Sequence, residues 1–238
     1  MVVFTQSHLN IAEPPWERKG ALRLAGTGSL LWSLAGLAAI AWLLASGSSL
    51  SHAGATTGMA VAAQHATLTG QLLVARDELL DPRFFRSVVY VIHHDAGGAM
   101  GLIVNRPIEE ASLSELLEQA GLGGKGVNGE IRVHFGGPVE PGRGFVLHTA
   151  DYKVDGTKVI KDGIAMTSRP EILRAMGTGT GPRKSLFALG YAGWASGQLE
   201  AEIKAGAWEI VPADETLVFD ENAEKKWEHA MAKRTIYL

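Results

Sequence analysis

The chain has 238 residues, of which 20% are charged and 46% hydrophobic, and this composition suits one globular domain with an extension. The formal net charge of −3 argues against direct nucleic-acid binding, which requires a basic surface. The sequence contains no cysteine. Disulfides, thiol nucleophiles, cysteine-ligated zinc and iron–sulfur clusters are therefore excluded.

The N-terminal part of the chain carries a long apolar segment. Between Leu24 and Ala75 there is no Lys, Arg, Asp or Glu. Residues 29–47 within this stretch are long enough to cross a bilayer, which takes about 20 apolar residues. Trp32 and Trp42 lie toward the ends of the segment, as interfacial anchors do. Residues 29–47 are therefore predicted to form a transmembrane or signal-anchor helix that attaches the protein to a membrane.

Two other interpretations of this N-terminus stay open. The segment could belong to a cleaved signal peptide, since the small residues at 53–55 offer a cleavage site. Alternatively, translation starts at Met59, and the protein is then cytoplasmic. In an anchored chain, Arg18, Lys19 and Arg23 would stay on the cytoplasmic side, so the domain that follows would lie outside.

The sequence divides into four parts. A polar N-terminal segment (1–28) precedes the apolar segment (29–47), a flexible linker rich in Gly, Ser, Ala and Thr follows (48–67), and a globular domain occupies the rest (68–238). The domain opens with a predicted strand at 70–76.

A hairpin is predicted next. Two apolar, β-branched runs at 87–93 and 99–105 are typical of strands, and the Asp- and Gly-containing stretch at 94–98 predicts a five-residue connection. Pro107 ends the second strand, because proline has no donor for the ladder.

Two helices are predicted from capping boxes, and the remaining elements alternate between strand and helix. The boxes are Ser112–Glu115 and Ser168–Glu171. A further helix at 198–205 follows a Gly- and Trp-containing turn, with Ser196 as its N-cap. The other predicted elements are strands at 131–135, 144–149, 185–190, 207–211 and 216–219, a polar hairpin or loop at 152–163, and a terminal helix at 221–234 with Trp227, Ala230 and Met231 facing inward. The pattern has no regular βαβ repeat, so it predicts an α+β fold with a mixed, strongly curled sheet.

No catalytic, cofactor or metal motif stands out. His93 and His94 are adjacent on a strand and should point to opposite faces, and their spacing matches no metal site. The sequence has no G-x-S-x-G elbow, and its glycine-rich loops fit neither a P-loop nor a dinucleotide fingerprint. Glu200 and Glu202, two positions apart on a helix, should not share a face. We therefore predict no catalytic residue, no cofactor and no metal.

Polar side chains at strand ends remain candidates for a ligand or partner surface. Arg106 beside Asn105 is the best exposed candidate for holding an anionic group. The predicted surface comprises His94, Asn105, Arg106, Trp194, Gln198 and Glu200.

Six collinear blocks of sequence carry a family resemblance. They are GQLLVA (70–75), DPRFFRSVVY (81–90), HDAGGAMGLIVNRP (94–107), FGGPV (135–139), GFVLH (144–148) and GYAGWASGQLEAEI (190–203). Together they resemble the YqgE/AlgH family, also called UPF0301 or DUF179, from about residue 68 to the C-terminal helix.

The resemblance implies an α+β fold with a small, closed, barrel-like sheet flanked by helices, in a bacterial protein that is usually cytoplasmic. One branch of the family is named for a proposed regulatory role in alginate synthesis. No catalytic or binding residues are established for the family, so none can be transferred. The N-terminal extension departs from the family, whose members mostly begin close to the first strand.

Two functions remain in competition. The first is a non-enzymatic regulatory or interaction protein with an unknown protein partner, with a role in transcriptional regulation as one form. The second is a small-ligand-binding protein or hydrolase-like enzyme with a pocket near Asn105, Arg106, His94 and Trp194. No direct binding of nucleic acid is expected.

Overall fold

The computed structural model describes residues 67–79 and 81–234. A short 3-10 helix at Pro82–Phe84 lies between the first two strands. The strands are β1 Gln71–Ala75, β2 Val88–Asp95, β3 Gly98–Ile103, β4 Pro107–Ser112, β5 Glu130–Phe135, β6 Val139–Thr149, β7 Thr157–Lys161, β8 Ile164–Thr167, β9 Ser185–Ala195 and β10 Trp208–Pro212. The helices are α1 Leu113–Gln119, α2 Glu171–Gly177, α3 Gln198–Lys204, α4 Glu215–Val218 and α5 Ala223–Ala232.

The strands form one mixed sheet organised around β9. The main path runs in the order β10-β1-β2-β3-β9-β6-β8-β7, and β5 pairs with β9 in parallel while β4 pairs with β5. The sheet curls until β7, at one end of this path, approaches the start of β1, the second strand from the other end. A Cβ placed on Gly70, just before β1, would lie 2.6 Å from Cβ of Lys161 at the end of β7. The predicted α+β fold with a strongly curled sheet is confirmed.

Because side chains alternate between the two faces of each strand, the sheet carries an apolar cluster on each face. In β1, Leu72 and Val74 belong to one buried cluster, while Leu73 and Ala75 belong to another on the opposite face. The first cluster includes side chains from β2, β3, β6, β8 and β9, and α5 adds Ala230 to it. The second cluster is covered by Leu199 of α3. Helices α1 and α2 pack together over a third cluster.

Two glycines allow the backbones of β9 and the segment before β6 to approach closely. A Cβ on Gly137 would lie 2.1 Å from the carbonyl carbon of Tyr191, and one on Gly190 would lie 2.4 Å from the carbonyl oxygen of Gly137. Both residues also have positive φ angles, 152° and 72°. Any side chain at either position would separate the two segments.

Several predicted boundaries are wrong. The connection between β2 and β3 is a two-residue turn at 96–97, not five residues. The stretch at 190–195 is not a turn, because β9 continues to Ala195. Pro107 does not end pairing but begins β4, an edge strand that the sequence did not predict.

The predicted strand at 216–219 is instead the short helix α4. Its N-cap is Asp214, whose side chain accepts a hydrogen bond from the backbone N–H of Leu217 at 2.8 Å. The terminal helix is correct, and Ala230 is buried while Trp227 and Met231 pack against the core.

Of the three predicted helix caps, Ser112 is correct in position, since it is the N-cap residue of α1, and the other two are wrong. The side chain of Ser112 makes no capping hydrogen bond, however, and its hydroxyl lies 2.7 Å from that of Ser114. Pro170, not Ser168, is the N-cap of α2. The N-cap of α3 is Gly197 at a φ of 74°, so Ser196 does not cap that helix.

The predicted membrane segment at 29–47 and the linker at 48–67, apart from Thr67, lie outside the described residues. Within 67–79 and 81–234, no helix is long and apolar enough to span a membrane.

Candidate functional site

A β-bulge in β2 directs His94 onto the face that carries Trp194. The register between β2 and β3 shifts between Val91 and His93, so one extra residue is inserted there. His94 then pairs with Ala99, and Ala99 pairs with Trp194 in β9. Directly opposed residues on neighbouring strands share a face, so His94 and Trp194 lie in one row across three strands.

Both ring nitrogens of His94 have partners within the chain. The backbone N–H of Leu68 donates to Nδ1 at 3.0 Å, so this nitrogen carries no proton. The proton therefore resides on Nε2, which donates to Oε1 of Glu200 at 2.8 Å. The side chain of His94 is 6% exposed, whereas that of Glu200 is 42% exposed. His94 thus ties the end of β2 to the segment before β1 and to α3.

Two threonines add to this link. The backbone N–H of His94 donates to Oγ1 of Thr69 at 3.0 Å, and Oγ1 of Thr67 donates to the carbonyl of His94 at 2.9 Å. The segment before β1 is therefore held at three points on a single histidine.

Glu202 is the central residue of a second group on the same face. Its Oε2 accepts hydrogen bonds from the indole N–H of Trp194 at 2.9 Å and of Trp208 at 2.8 Å. Its Oε1 accepts from the side-chain amide of Gln198 at 2.9 Å. A carboxylate that receives three N–H donors is well stabilised as an anion. Glu202 therefore joins α3 to β9 and β10, a role that the sequence did not predict.

The two indoles pack against a third ring. Trp194 and Trp208 meet edge to face with centroids 5.9 Å apart, and Phe84 meets Trp208 edge to face at 5.7 Å. Phe84 comes from the loop between β1 and β2. The aromatic group thus anchors that loop to the α3 side of the sheet.

Gln198 and Ser196 also act within the chain. The amide oxygen of Gln198 accepts from the backbone N–H of Ala195 at 3.1 Å. The hydroxyl of Ser196 donates to the carbonyl of Ala96 in the β2–β3 turn at 2.6 Å. Both side chains hold the junction between β9 and α3 against the hairpin.

Asn105 and Arg106 organise a different part of the molecule. Oδ1 of Asn105 accepts from the backbone N–H of Val88 at 2.8 Å, and its Nδ2 donates to the carbonyl of Arg86 at 2.9 Å. Arg106 donates to the carbonyl of Phe85. Burial lowers the pKa of the Arg106 guanidinium. Both residues therefore brace the loop that precedes β2.

The predicted candidate residues form two groups, not one. His94, Trp194, Gln198 and Glu200 lie together near the turn of the β2–β3 hairpin. Asn105 and Arg106 follow the other end of β3, at least six residues from Ala99. At about 3.3 Å per residue, that is roughly 20 Å along the strand. The structure therefore does not bring Asn105, Arg106, His94 and Trp194 into one pocket.

Several buried ionisable groups were missed by the sequence reasoning. Lys226 on α5 is 1% exposed, and its Nζ donates to the carbonyls of Val104 and Val218 at 2.7 and 2.9 Å. Burial lowers its pKa to about 8. Burial, with a smaller contribution from the charge of Lys226, lowers the pKa of His134 to about 4. The amphipathic pattern of α5 places position 226 inward, which was the available signal.

His148 and Tyr90 are buried as well. His148 bonds through Nδ1 to the carbonyl of Thr149 at 2.8 Å and through Nε2 to the hydroxyl of Thr167 at 2.9 Å. Burial lowers the pKa of His148 and raises that of Tyr90. The hydroxyl of Tyr90 has no partner among the described residues. Within the same residues, no three His, Asp or Glu side chains converge as a metal site would require.

Comparison with known proteins gives a consistent result. The model of the AlgH-like family, DUF179, matches residues 72–238. A UPF0301 protein of Caulobacter vibrioides is 49% identical over 173 residues, which cover 70% of this chain and 86% of that protein. A UPF0301 protein of Rhodospirillum rubrum is 46% identical over 166 residues, with coverage of 70% and 86%.

Solved structures show the same similarity. The solution structure of the AlgH protein from Pseudomonas aeruginosa is 38% identical to this chain, with a TM-score of 0.62, and the match covers 73% of this chain and 92% of that one. A crystal structure of a Corynebacterium diphtheriae protein shares the fold at 19% identity and a TM-score of 0.56, with coverage of 71% and 87%.

Proposed function

The chain belongs to the AlgH-like family, DUF179 or UPF0301, and on this premise we propose that it is a non-enzymatic regulatory protein that acts by binding a protein partner. A role in the regulation of transcription, as suggested for alginate synthesis within the family, would then be exerted through that partner. Direct contact with nucleic acid is not part of the proposal, because the chain is slightly acidic overall.

The hydrogen bonding of two candidate residues, His94 and Gln198, and of Glu202 beside them is the observation that carries this proposal. Both nitrogens of His94 are engaged, the carboxylate of Glu202 is engaged at both oxygens, and the amide of Gln198 is engaged at both ends. A general base needs a free nitrogen or oxygen within reach of its substrate. These side chains instead connect β2, β9, β10 and α3, so they favour a stabilising role over catalysis.

The competing proposal, a ligand-binding protein or hydrolase-like enzyme, has less support. It requires Asn105, Arg106 and His94 to surround one pocket. However, His94 lies near the turn of the β2–β3 hairpin, whereas Asn105 and Arg106 lie beyond its open end. Asn105 also uses both ends of its amide on backbone groups.

Affinity capture of the tagged full chain from detergent-solubilised lysate of its native host tests the proposal. The expected result is at least one protein that is retained reproducibly and in stoichiometric amount. His94→Gln and Glu200→Gln variants serve as controls and should retain the same protein whenever they are folded. The absence of any reproducible partner would count against the proposal. A cellular phenotype lost in both folded variants, with partner binding intact, would favour the enzyme.

A further inference from the structure

Phe85 is the most exposed large apolar side chain among the described residues, with 59% of its surface accessible. Its neighbour Phe84 is packed against Trp194 and Trp208, so the chain turns one phenylalanine inward and the next outward. Exposed aromatic rings next to arginines are typical of the energetic centres of protein interfaces. Phe85 is therefore a candidate anchor for a partner.

The loop that presents Phe85 is held rigidly. Asn105 donates to the carbonyl of Arg86, Arg106 donates to the carbonyl of Phe85, and Oγ of Ser87 donates to the carbonyl of Phe84 at 2.9 Å. Arg86 has a φ of 50°, which is unfavourable for a residue with a side chain. The bonds from Asn105 and Arg106 hold the loop in this conformation. A fixed loop loses little conformational entropy when a partner binds.

Arg86 supplies a positive charge beside Phe85. Its guanidinium lies 4.6 Å from the ring centre of Trp227 and 5.9 Å from that of Phe85. Among the residues that the structure describes, its side-chain N–H groups have no hydrogen-bond partner and it forms no ion pair. A guanidinium held by ring stacking keeps its in-plane donors available, and these match a carboxylate in a bidentate arrangement. By contrast, Arg83 in the same loop is paired with Asp81.

We propose that Phe85 and Arg86 form a docking surface for an acidic segment of a partner protein, with Asn105 and Arg106 as positioning residues. An apolar side chain of the partner packs on Phe85, and an adjacent Asp or Glu pairs with Arg86. The inference rests on the proposed function and specifies the chemistry of the partner.

A selection with peptides of random sequence tests this surface. The full chain is presented to a displayed library of random dodecapeptides, and the affinity of each enriched peptide is measured by fluorescence polarisation. Enriched peptides should carry Asp or Glu next to a large apolar residue, and their binding should weaken as salt rises. Phe85→Ser and Arg86→Gln should each weaken binding at least tenfold.

Two matched variants serve as controls. Val159 is 49% exposed on β7, and Val159→Ser removes an exposed apolar side chain from another surface. Arg169 is exposed, and Arg169→Gln makes the same charge change elsewhere. Both controls should bind the peptides within twofold of the unmodified chain. Asn105→Ala should weaken binding while leaving its salt dependence unchanged, because the charges of the surface remain.

The peptide experiment would overturn the inference with any of three results: no enriched peptide, enriched peptides without carboxylates, or equal binding by Phe85→Ser. Light scattering that shows a dimer dissociated by Phe85→Ser would also overturn it, in favour of a second copy of the chain. If affinity capture recovers a partner equally well with Phe85→Ser, this surface is wrong and the proposed function stands. If no partner is captured although the peptides bind as described, the proposed function fails instead.

Discussion

His94 and Glu200 are 106 positions apart in the chain, and a hydrogen bond of 2.8 Å joins Nε2 of the histidine to Oε1 of the glutamate. The bond fixes the β2–β3 hairpin against α3. His94 also accepts from the backbone N–H of Leu68 and so holds the start of the domain. One buried imidazole thus connects three segments that are distant in sequence.

We expect His94→Ala to lower the free energy of unfolding by about 1–3 kcal/mol, because it leaves the N–H of Leu68 without its acceptor. Glu200→Gln should cost less, since the amide oxygen of glutamine can still accept from Nε2. Urea denaturation of the full chain measures both. Equal losses in the two variants, or no loss in His94→Ala, would contradict the stabilising role.

A second prediction concerns the carboxylate of Glu202. Glu202→Leu removes the acceptor of two indole N–H groups, on Trp194 and Trp208, which are 7% and 3% exposed. The free energy of unfolding should fall by about 2–4 kcal/mol, given that hydrogen bonds to charged groups contribute about 1.5–3 kcal/mol each. Guanidinium denaturation measures the change. The exposed Glu228 provides the control, and Glu228→Leu should alter stability by less than about 0.5 kcal/mol.

The sequence predicted the class of fold and most of the elements, because their apolar patterns and glycine positions are local signals. It could not predict the bulge in β2, which reverses the facing of the residues after Ile92 and leaves no trace in the alternation. The row of His94 and Trp194 depends on that bulge. The short helix α4 was missed because a threonine followed by three apolar residues at 216–219 fits a strand equally well, although Asp214 offered a cap signal.

The sequence also could not predict which of the candidate residues lie close together. His94 and Asn105 both follow or end predicted strands, and strand ends can meet at one edge of a sheet or lie at opposite edges. Here the two strands form a hairpin, so residues near its turn and residues beyond its open end are necessarily far apart.

A third prediction concerns the N-terminal segment at 29–47. As an uncleaved anchor, it should leave an intact Met1, with the protein in the membrane fraction. N-terminal mass spectrometry combined with fractionation of the native host measures both properties. A soluble protein that begins at Met59 would identify a cytoplasmic form, and a start just after residues 53–55 would identify a cleaved signal peptide.

Acid should destabilise the domain through His134. Its pKa is lowered to about 4 in the folded chain, chiefly by burial, whereas an unfolded histidine titrates near 6.5. The unfolded state therefore binds more protons between these values, and stability should fall by up to about 3 kcal/mol as pH drops from 6.5 to 4. Denaturation curves across this range should show a smaller fall in His134→Gln. The exposed His229 is the control, and His229→Gln should keep most of the fall.

Lys226 should also make the stability of the domain rise with pH, but in the alkaline range. Burial lowers its pKa from 10.5 to about 8, so the unfolded state binds more protons between pH 8 and 10.5. Stability should therefore rise with pH from about 8, by up to about 3 kcal/mol. Above about pH 10, Tyr90 should offset this gain in stability. Its pKa is raised in the folded state, so ionisation of the phenol favours the unfolded state.

Denaturation of the full chain between pH 7 and 10 measures this rise. Lys226→Met should abolish it, because the neutral side chain has no proton to lose. The exposed Lys225 on the same helix is the control, and Lys225→Met should retain the rise. A rise that persists in Lys226→Met would show that another group titrates there. A rise that is absent from the unmodified chain would mean that the ammonium is hydrated in spite of its 1% exposure.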